Sequence, residues 1–200
     1  MTDAQENEDL TLEHLKAELE REIYRNRYRR MLRSTINVLI VVAAIAVLLA
    51  TLFFPVFRIY GSSMSPSINE DEILVAIKGS DFESGDIIVL SYNNKLLVKR
   101  AIAGPGQWVD VDLKGNVYVD GNKIDEPYLK EKAYGECTLK LPYQVPDGRY
   151  FVMGDNRATS QDSRNAMVGC IAEEQIVGRA ILRIWPISEI SLIKSYGSSK

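Results

Sequence analysis

Residues 36–54 have the sequence INVLIVVAAIAVLLATLFF, which contains no charged side chain. As an α-helix these 19 residues would rise about 28 Å, close to the hydrocarbon thickness of a bilayer. The uncharged region extends from Ser34 to Phe57, and Pro55 stands where such a helix should end. We therefore predict a transmembrane helix over residues 35–57. It would separate a charged, helical segment at 1–34 from an outer region at 58–200.

The charges on either side of this stretch predict its orientation. Residues 21–33 contain six arginines and one glutamate, whereas Arg58 is the only base that closely follows the stretch. The positive-inside tendency then places the N-terminus in the cytoplasm and residues 58–200 outside it. Two alternatives are a buried core helix and a cleaved signal peptide. The stretch is long and uniformly apolar for a core helix, and a signal peptide usually starts within the first few residues.

The segment before the stretch shows a weak helical pattern. Leu12, Leu15, Leu19 and Ile23 recur at steps of three and four, which predicts a short amphipathic helix from about Asp9. This helix would be solvated, with self-association as the alternative. It spans few heptads for a coiled coil, and no oligomeric state is predicted.

Overall composition excludes several kinds of chemistry. The chain has 24 basic and 27 acidic residues, a net charge of −3, so it lacks the basic excess of a nucleic-acid-binding protein. Two cysteines and one histidine cannot build a structural zinc site, and we predict no metal and no cofactor. The histidine, His14, falls on the cytoplasmic side, which excludes a Ser-His-Asp triad outside. Cys137 and Cys170 would both lie outside the cytoplasm, where either a disulfide or two unpaired thiols are allowed.

The outer region has the pattern of an antiparallel β domain. Val109, Val111 and Leu113 alternate with aspartates, as in a half-buried strand, and no alternation of strands with helices is visible. Asn93-Asn94, Lys114-Gly115-Asn116 and Asp120-Gly121 indicate hairpin turns. Residues 126–149 predict a loop or irregular strand. The predicted strands are Ile73–Lys78, Ile87–Tyr92, Leu96–Ala103, Trp108–Leu113, Val117–Asp120, Tyr150–Met153 and Ile176–Trp185.

Without an outer histidine, a serine nucleophile needs another base, and lysine is suited because burial lowers its pKa. Residues 61–67, GSSMSPS, predict a tight turn that exposes a hydroxyl. Residues 96–103, LLVKRAIA, place Lys99 and Arg100 on opposite faces of an apolar strand. A lysine with a pKa of about 10.4 is neutral only about once in 2,500 at pH 7, so burial would have to depress it. On pattern alone, a surface lysine and an ordinary turn serine remain alternatives.

Four segments in this order, behind a membrane stretch, are similar to the motif boxes of bacterial type I signal peptidases. These segments are 63–67 (SMSPS), 85–89 (GDIIV), 98–106 (VKRAIAGPG) and 154–164 (GDNRATSQDSR). The resemblance implies an antiparallel β domain of the signal-peptidase type behind a single transmembrane helix. It implies a bacterial cell-membrane endopeptidase whose partners are the lipid bilayer and secreted preproteins, cut at Ala-x-Ala-like sites through an acyl-enzyme.

The same resemblance assigns roles to residues. It implies that Ser63, which precedes Met64, is the nucleophile, that Lys99 is the general base, and that Ser160 orients the lysine amine. Gly61 stands where Gram-negative members carry a serine that helps to bind the oxyanion. The supporting ionic framework implied is Arg100, Asp155, Asp162 and Arg164.

Two rival functions are weighed against the peptidase. One is a self-cleaving Ser/Lys regulator related to phage repressors, which would be soluble and carry a DNA-binding module. The other is a non-enzymatic, membrane-anchored β domain that binds partners, such as an inactive relative of the peptidase. The presence of both Ser63 and Lys99 favours the enzyme over the second rival.

Overall fold

A computed structural model describes residues 3–79 and 81–196, and the chain divides into two compact units, Met1–Ala50 and Thr51–Lys200. The described residues of the first unit belong to one helix, α1, which spans Asp3–Phe53 and therefore continues three residues into the second unit. The sequence predicted a short helix from about Asp9 and a transmembrane helix from residue 35. The structure joins the two, because no proline or glycine interrupts residues 3–53.

The helix ends earlier than predicted. Pro55 lacks an N–H donor and disfavours helical backbone at the residue before it, so α1 stops at Phe53. Residues Val56–Arg58 then form strand β1 rather than the last helical turn, and the predicted helical end at residue 57 is wrong. In the described part of the chain, α1 is the one helix long and apolar enough to cross a membrane. From Leu19 to Phe53 its large apolar side chains are exposed, as at Val47 with 64 % of its surface accessible, which argues against a core helix.

The second unit contains two antiparallel sheets. The larger sheet has the strand order β1-β2-β11-β3-β4-β9-β10, and β12 pairs with β11. The smaller sheet has the order β7-β6-β5-β8. The strands after β1 are β2 (Ile73–Lys78), β3 (Ile87–Tyr92), β4 (Lys95–Ala103), β5 (Trp108–Val111), β6 (Val117–Val119), β7 (Asn122–Lys123), β8 (Tyr143–Gln144), β9 (Arg149–Met153), β10 (Ile171–Ala172), β11 (Ile176–Trp185) and β12 (Ser191–Leu192). Short 3-10 helices occupy Glu173–Gln175 and Ile187–Glu189.

All seven predicted strands are present, and three of them have the predicted bounds. The predicted strand Trp108–Leu113 ends at Val111 instead, because the Asp112 carboxylate accepts hydrogen bonds from the backbone N–H groups of Lys114 and Asn116 and starts a turn. The predicted strand Val117–Asp120 ends at Val119, because Asp120 has a positive φ and opens the hairpin turn. The other two strands begin one residue earlier than predicted, at Lys95 and Arg149.

Strand β3 is buried on both faces and forms the centre of the domain. Ile87 and Val89 pack into one apolar cluster with Met64 and Leu74, and Ile88 lies in a second cluster on the other face of the strand. A third cluster under the smaller sheet includes Cys170, and both cysteines are free thiols. The peptide segments around residues 63, 99 and 160 are therefore carried by a well-packed β scaffold.

Candidate active site

Ser63 lies in a turn that is anchored by its neighbour. The side chain of Met64 is 1 % exposed and packs in the core with Ile59 and Ile68. Within the turn, the N–H of Ile68 donates to the carbonyl of Met64 at 3.0 Å. Gly61 has a φ of +86°, a backbone conformation that residues other than glycine rarely adopt. The buried methionine and the glycine thus fix a turn on which Ser63 is left half-buried at the surface.

Lys99 is buried on β4, where its side chain is hydrogen-bonded to Ser160. Only 4 % of its surface is exposed, and its Nζ donates to the hydroxyl of Ser160 at 3.0 Å. Burial lowers the pKa of Lys99 from its ordinary value of 10.5; Asp162 and Asp155 act against this shift, whereas Arg164 adds to it. The amine therefore loses its proton more readily than a solvated lysine, as a general base requires.

The main chain of Ser63 lies against the segment that carries Ser160. The N–H of Asn156 donates to the carbonyl of Ser63 at 3.0 Å, and the side-chain amide of Asn156 donates to the carbonyl of Ser62 at 3.3 Å. A Cβ built on Gly154 would lie 2.5 Å from Ser63 O and 2.6 Å from Ser160 Cβ. Gly154 thus lies between the Ser63 turn and Ser160, where no side chain could be accommodated without a shift of its neighbours.

Asp162 and Arg164 form a buried ion pair beside Ser160. Two guanidinium nitrogens of Arg164 donate to the two carboxylate oxygens of Asp162, each at 2.8 Å. Burial raises the pKa of Asp162, but hydrogen bonds and charge from Arg164 and hydrogen bonds from Gly154 N–H and the Ser160 hydroxyl outweigh it, so the pKa is lowered. Asp162 therefore remains an acceptor for Ser160, and Ser160 in turn accepts from Lys99.

A second buried pair lies on the neighbouring residue of β4. Arg100 is 1 % exposed and donates to both oxygens of Asp155, at 2.9 and 2.5 Å, and to the carbonyl of Gly85 at 2.7 Å. Its guanidinium also lies over the ring of Tyr128, 3.7 Å from the ring centroid. Of the two adjacent charged residues on β4, Arg100 is therefore the one that pairs with an acid.

The structure thus brings the predicted residues into one region of the large sheet. Ser63 is linked through Asn156 and Gly154 to the loop of Asp155, and Lys99 is linked through Ser160 to Asp162 and Arg164. Sequence reasoning missed Glu126, Tyr128, Asn156 and Arg157, all of which join this network. Glu126 and Tyr128 lie in the segment 126–149, which has no periodicity, so only their unusual burial identifies them. Asn156 and Arg157 stood inside a recognised motif box, but no sequence feature separated them from their neighbours.

An open groove runs past Ser63. Its volume is about 700 Å³, and its walls are residues 56–60, 63, 64, 89 and 94–98. On β4, Arg100, Ala101 and Ala103 pair with β9, whereas residues 95–99 pair with β3 alone among the described strands. The groove is therefore bordered by a strand edge with unused backbone hydrogen-bonding capacity. Among the side chains that the structure describes, those of residues 16, 18–79 and 81–196, no three His, Cys, Asp or Glu residues form a group that could hold a metal ion.

Comparison with known proteins gives a consistent assignment. A family model described as "Signal peptidase, peptidase S26" matches residues 32–185. Signal peptidase I of Bacillus amyloliquefaciens is 36% identical over 157 residues, which cover 73% of this chain and 84% of the relative. Signal peptidase I U of Bacillus subtilis (strain 168) is 37% identical over 155 residues, covering 72% of this chain and 82% of the relative. The chain belongs to the signal peptidase family, peptidase S26.

Membership of this family confirms the resemblance predicted from the four motif boxes and identifies the chain as a serine endopeptidase. The predicted antiparallel β architecture behind one N-terminal apolar helix is confirmed by the two sheets and α1. A crystal structure of signal peptidase I from Enterococcus faecalis V583 aligns with a TM-score of 0.44 and 28% identity, covering 50% of this chain and 97% of that chain.

Proposed function

We propose that this peptidase is anchored in the membrane by α1 and removes N-terminal signal peptides from secreted preproteins through a Ser63–Lys99 mechanism. The observation that carries the proposal is the buried Lys99 amine, bonded to Ser160 beside the main chain of Ser63. Family membership and the relatives named signal peptidase I support the reaction class. The peptidase domain, residues 58–200, is proposed to lie outside the cytoplasm.

The direction of the hydrogen bonds makes Lys99 available as a base. Lys99 donates one N–H to Ser160, and Ser160 donates its own proton to Asp162. In the neutral amine, this arrangement leaves the lone pair free for the hydroxyl of Ser63. Lys99 would take the proton of Ser63 as its oxygen attacks the scissile carbonyl, then pass that proton to the leaving amine.

The remaining steps use the turn around Ser63. We propose that the backbone N–H of Ser63 donates to the oxyanion, since Gly61 offers no hydroxyl at the position where some relatives carry one. Neutral Lys99 would then remove a proton from a water molecule, whose oxygen attacks the acyl-enzyme. The ester bond to Ser63 breaks, and Ser63 recovers its proton from the lysine.

The free edge of β4 suits an extended substrate. A peptide laid along residues 95–99 would add a strand to the large sheet, with its scissile bond carried towards Ser63 in the groove. The proposed cleavage sites are of the Ala-x-Ala type, as the resemblance to signal peptidases implies. The bilayer is the second proposed partner, through α1 and its uncharged residues 36–54.

The test is cleavage of a purified preprotein by the full-length enzyme in detergent. We expect Ser63→Ala and Lys99→Ala each to reduce cleavage to background, because each removes a reacting atom. Ser91→Ala and Lys123→Ala are matched controls, since both side chains are exposed on strands and neither residue lines the groove. Near wild-type cleavage by either Ser63→Ala or Lys99→Ala would overturn the mechanism.

The proposed topology has a separate test. Protease added to intact cells should digest residues 58–200 and spare the N-terminal segment, whereas broken cells should lose both. Digestion of the N-terminal segment in intact cells, with the β domain protected, would reverse the proposed orientation.

A further inference from the structure

A third buried ion pair, between Glu126 and Arg157, takes no part in the proposed chemistry. Glu126 is 4 % exposed and Arg157 is 1 % exposed, and Nη2 of Arg157 lies 2.5 Å from Oε1 of Glu126. Glu126 opens the segment 126–149, which shows no regular pattern in the sequence. The pair is therefore a tertiary contact that joins this segment to the loop after β9.

Stability alone explains this pair poorly. Removing two charges from water is costly, and apolar side chains of similar volume often stabilise a protein as well or better. Within the described chain, Oε2 of Glu126 and Nη1 of Arg157 have no hydrogen-bond partner, although Lys132 Nζ lies 3.7 Å from Oε2. A pair with an unsatisfied polar atom on each side is far from an optimal stabilising contact. The pair is better explained by the contacts that Arg157 makes with the turn 154–157.

Arg157 closes the turn that is bound to the nucleophile's main chain. Its Nε donates to the carbonyl of Gly154 at 3.1 Å, which fixes the two ends of the turn 154–157. Between them, Asn156 donates to the carbonyls of Ser63 and Ser62. The guanidinium of Arg157, which is bound by Glu126, thus sets the position of Asn156, which donates a hydrogen bond to the backbone of Ser63.

Glu126 also acts on a second part of the site. The hydroxyl of Tyr128 donates to Oε1 of Glu126 at 3.1 Å, and the ring of Tyr128 lies 3.7 Å from the guanidinium carbon of Arg100. Arg100 in turn binds Asp155, inside the same turn. One carboxylate therefore fixes the turn from two directions, through Arg157 and through Tyr128.

We propose that Glu126 is a positioning residue for the peptidase: acting through Arg157, it holds the turn 154–157 in the place that aligns Ser63. The inference rests on the proposed function in taking Ser63 as the nucleophile. Misplacement of a reacting group by about 1 Å costs on the order of a hundredfold in rate, so a loosened turn should lower kcat. The edge of β4 is untouched, so KM should change little.

The test compares Glu126→Gln with a matched destabilised control in the full-length enzyme. Glutamine keeps the side-chain size and an acceptor for Tyr128 but removes the charge that holds Arg157. Val117→Ala truncates a fully buried valine under the smaller sheet and serves as a control for general loss of stability. For each variant, kcat and KM are measured per folded molecule, and amide hydrogen exchange is followed by mass spectrometry over residues 154–157.

We expect Glu126→Gln to lower kcat about tenfold or more, with KM within about twofold, and to speed exchange at residues 154–157. Val117→Ala should change neither kcat per folded molecule nor exchange at this turn. Unchanged exchange in Glu126→Gln, or an equal loss of kcat in both variants, would overturn the proposal. If Glu126→Gln does not fold, Glu126→Asp, which keeps the charge on a shorter side chain, decides by the same two measurements.

The exchange measurement also separates this inference from the proposed function. If Ser63→Ala still cleaved the preprotein, the nucleophile would be wrong, whereas exchange at residues 154–157 would still report whether Glu126 holds the turn. If Ser63→Ala is inactive and exchange in Glu126→Gln is unchanged, the nucleophile stands and the positioning role fails.

Discussion

Replacing Gly154 by alanine would insert a methyl group between the two serines of the site. The new Cβ would lie 2.5 Å from the carbonyl oxygen of Ser63 and 2.6 Å from Cβ of Ser160. Ordinary contacts of such atoms are about 3.5–4.0 Å, so the two segments would have to separate by roughly 1 Å. The carbonyl oxygen of Ser63 is a backbone atom, so no side-chain rotation can relieve this contact.

The size of the effect follows from this displacement. Overpacking of a filled site costs about 1–3 kcal/mol in stability, which a domain of this size should survive. A shift of about 1 Å between nucleophile and base reduces the rate on the order of a hundredfold. We therefore expect Gly154→Ala to fold and to lose about two orders of magnitude in kcat.

The assay is the cleavage rate of a preprotein by the full-length enzyme, with thermal unfolding measured in parallel. Gly104→Ala is the matched control, because its Cβ would meet its nearest neighbour, Cε1 of Tyr150, at an ordinary 3.6 Å. Neither glycine has a positive φ, so backbone strain does not separate the two variants. A Gly154→Ala enzyme with kcat near that of Gly104→Ala would refute the close approach of the Ser63 turn and Ser160.

Three further outcomes can be measured. Because burial lowers the pKa of Lys99, kcat should rise with pH along a limb centred below 10.5. A kcat that does not change between about pH 5 and about pH 10 would contradict a titrating base. Ser160→Ala removes the partner of Lys99 Nζ at 3.0 Å and should lower kcat by roughly ten- to a hundredfold and stability by about 1–3 kcal/mol, because the buried amine loses its acceptor; full activity would exclude the orienting role. Alkylation of the folded protein should modify Cys137 well before Cys170, whose thiol is buried with a pKa raised to about 11, and both should react equally after denaturation. Equal alkylation rates of the two cysteines in the folded state would contradict their unequal exposure. An intact protein mass lower by two hydrogens would indicate a disulfide and contradict two free thiols.

Much of the β domain could be predicted from local patterns, because its longer strands carry clear signals. Ile87–Tyr92 and Ile176–Trp185 are apolar enough and long enough to be located to the residue. Strands of two residues, such as Tyr143–Gln144 and Ile171–Ala172, show no periodicity and were not predicted. Their pairing is set by tertiary contacts, as is the strand Val56–Arg58, which the uncharged composition had assigned to the membrane.

The residues of the candidate site could likewise be predicted only in part. The absence of an outer histidine and the apolar surroundings of Lys99 allowed a serine mechanism with a lysine base to be considered, but the roles of Ser63, Lys99, Ser160 and the ionic framework came from the motif resemblance. Glu126 could not be inferred, because an acid in a patternless segment is indistinguishable from a surface acid. Only its 4 % exposure and its contact with Arg157 reveal the difference.

The half-paired strand β4 has a consequence for when cleavage can happen. A peptide that bonds along residues 95–99 must present its own N–H and C=O groups sideways, so it cannot be helical there, and a proline at a bonded position would lack its donor. If the proposed binding along β4 holds, a leader that crosses the bilayer as a helix would have to unwind next to its cut. A cargo domain folded tight against that point would be unable to enter the groove, so cleavage would need an extended stretch of chain between the cut and the folded cargo.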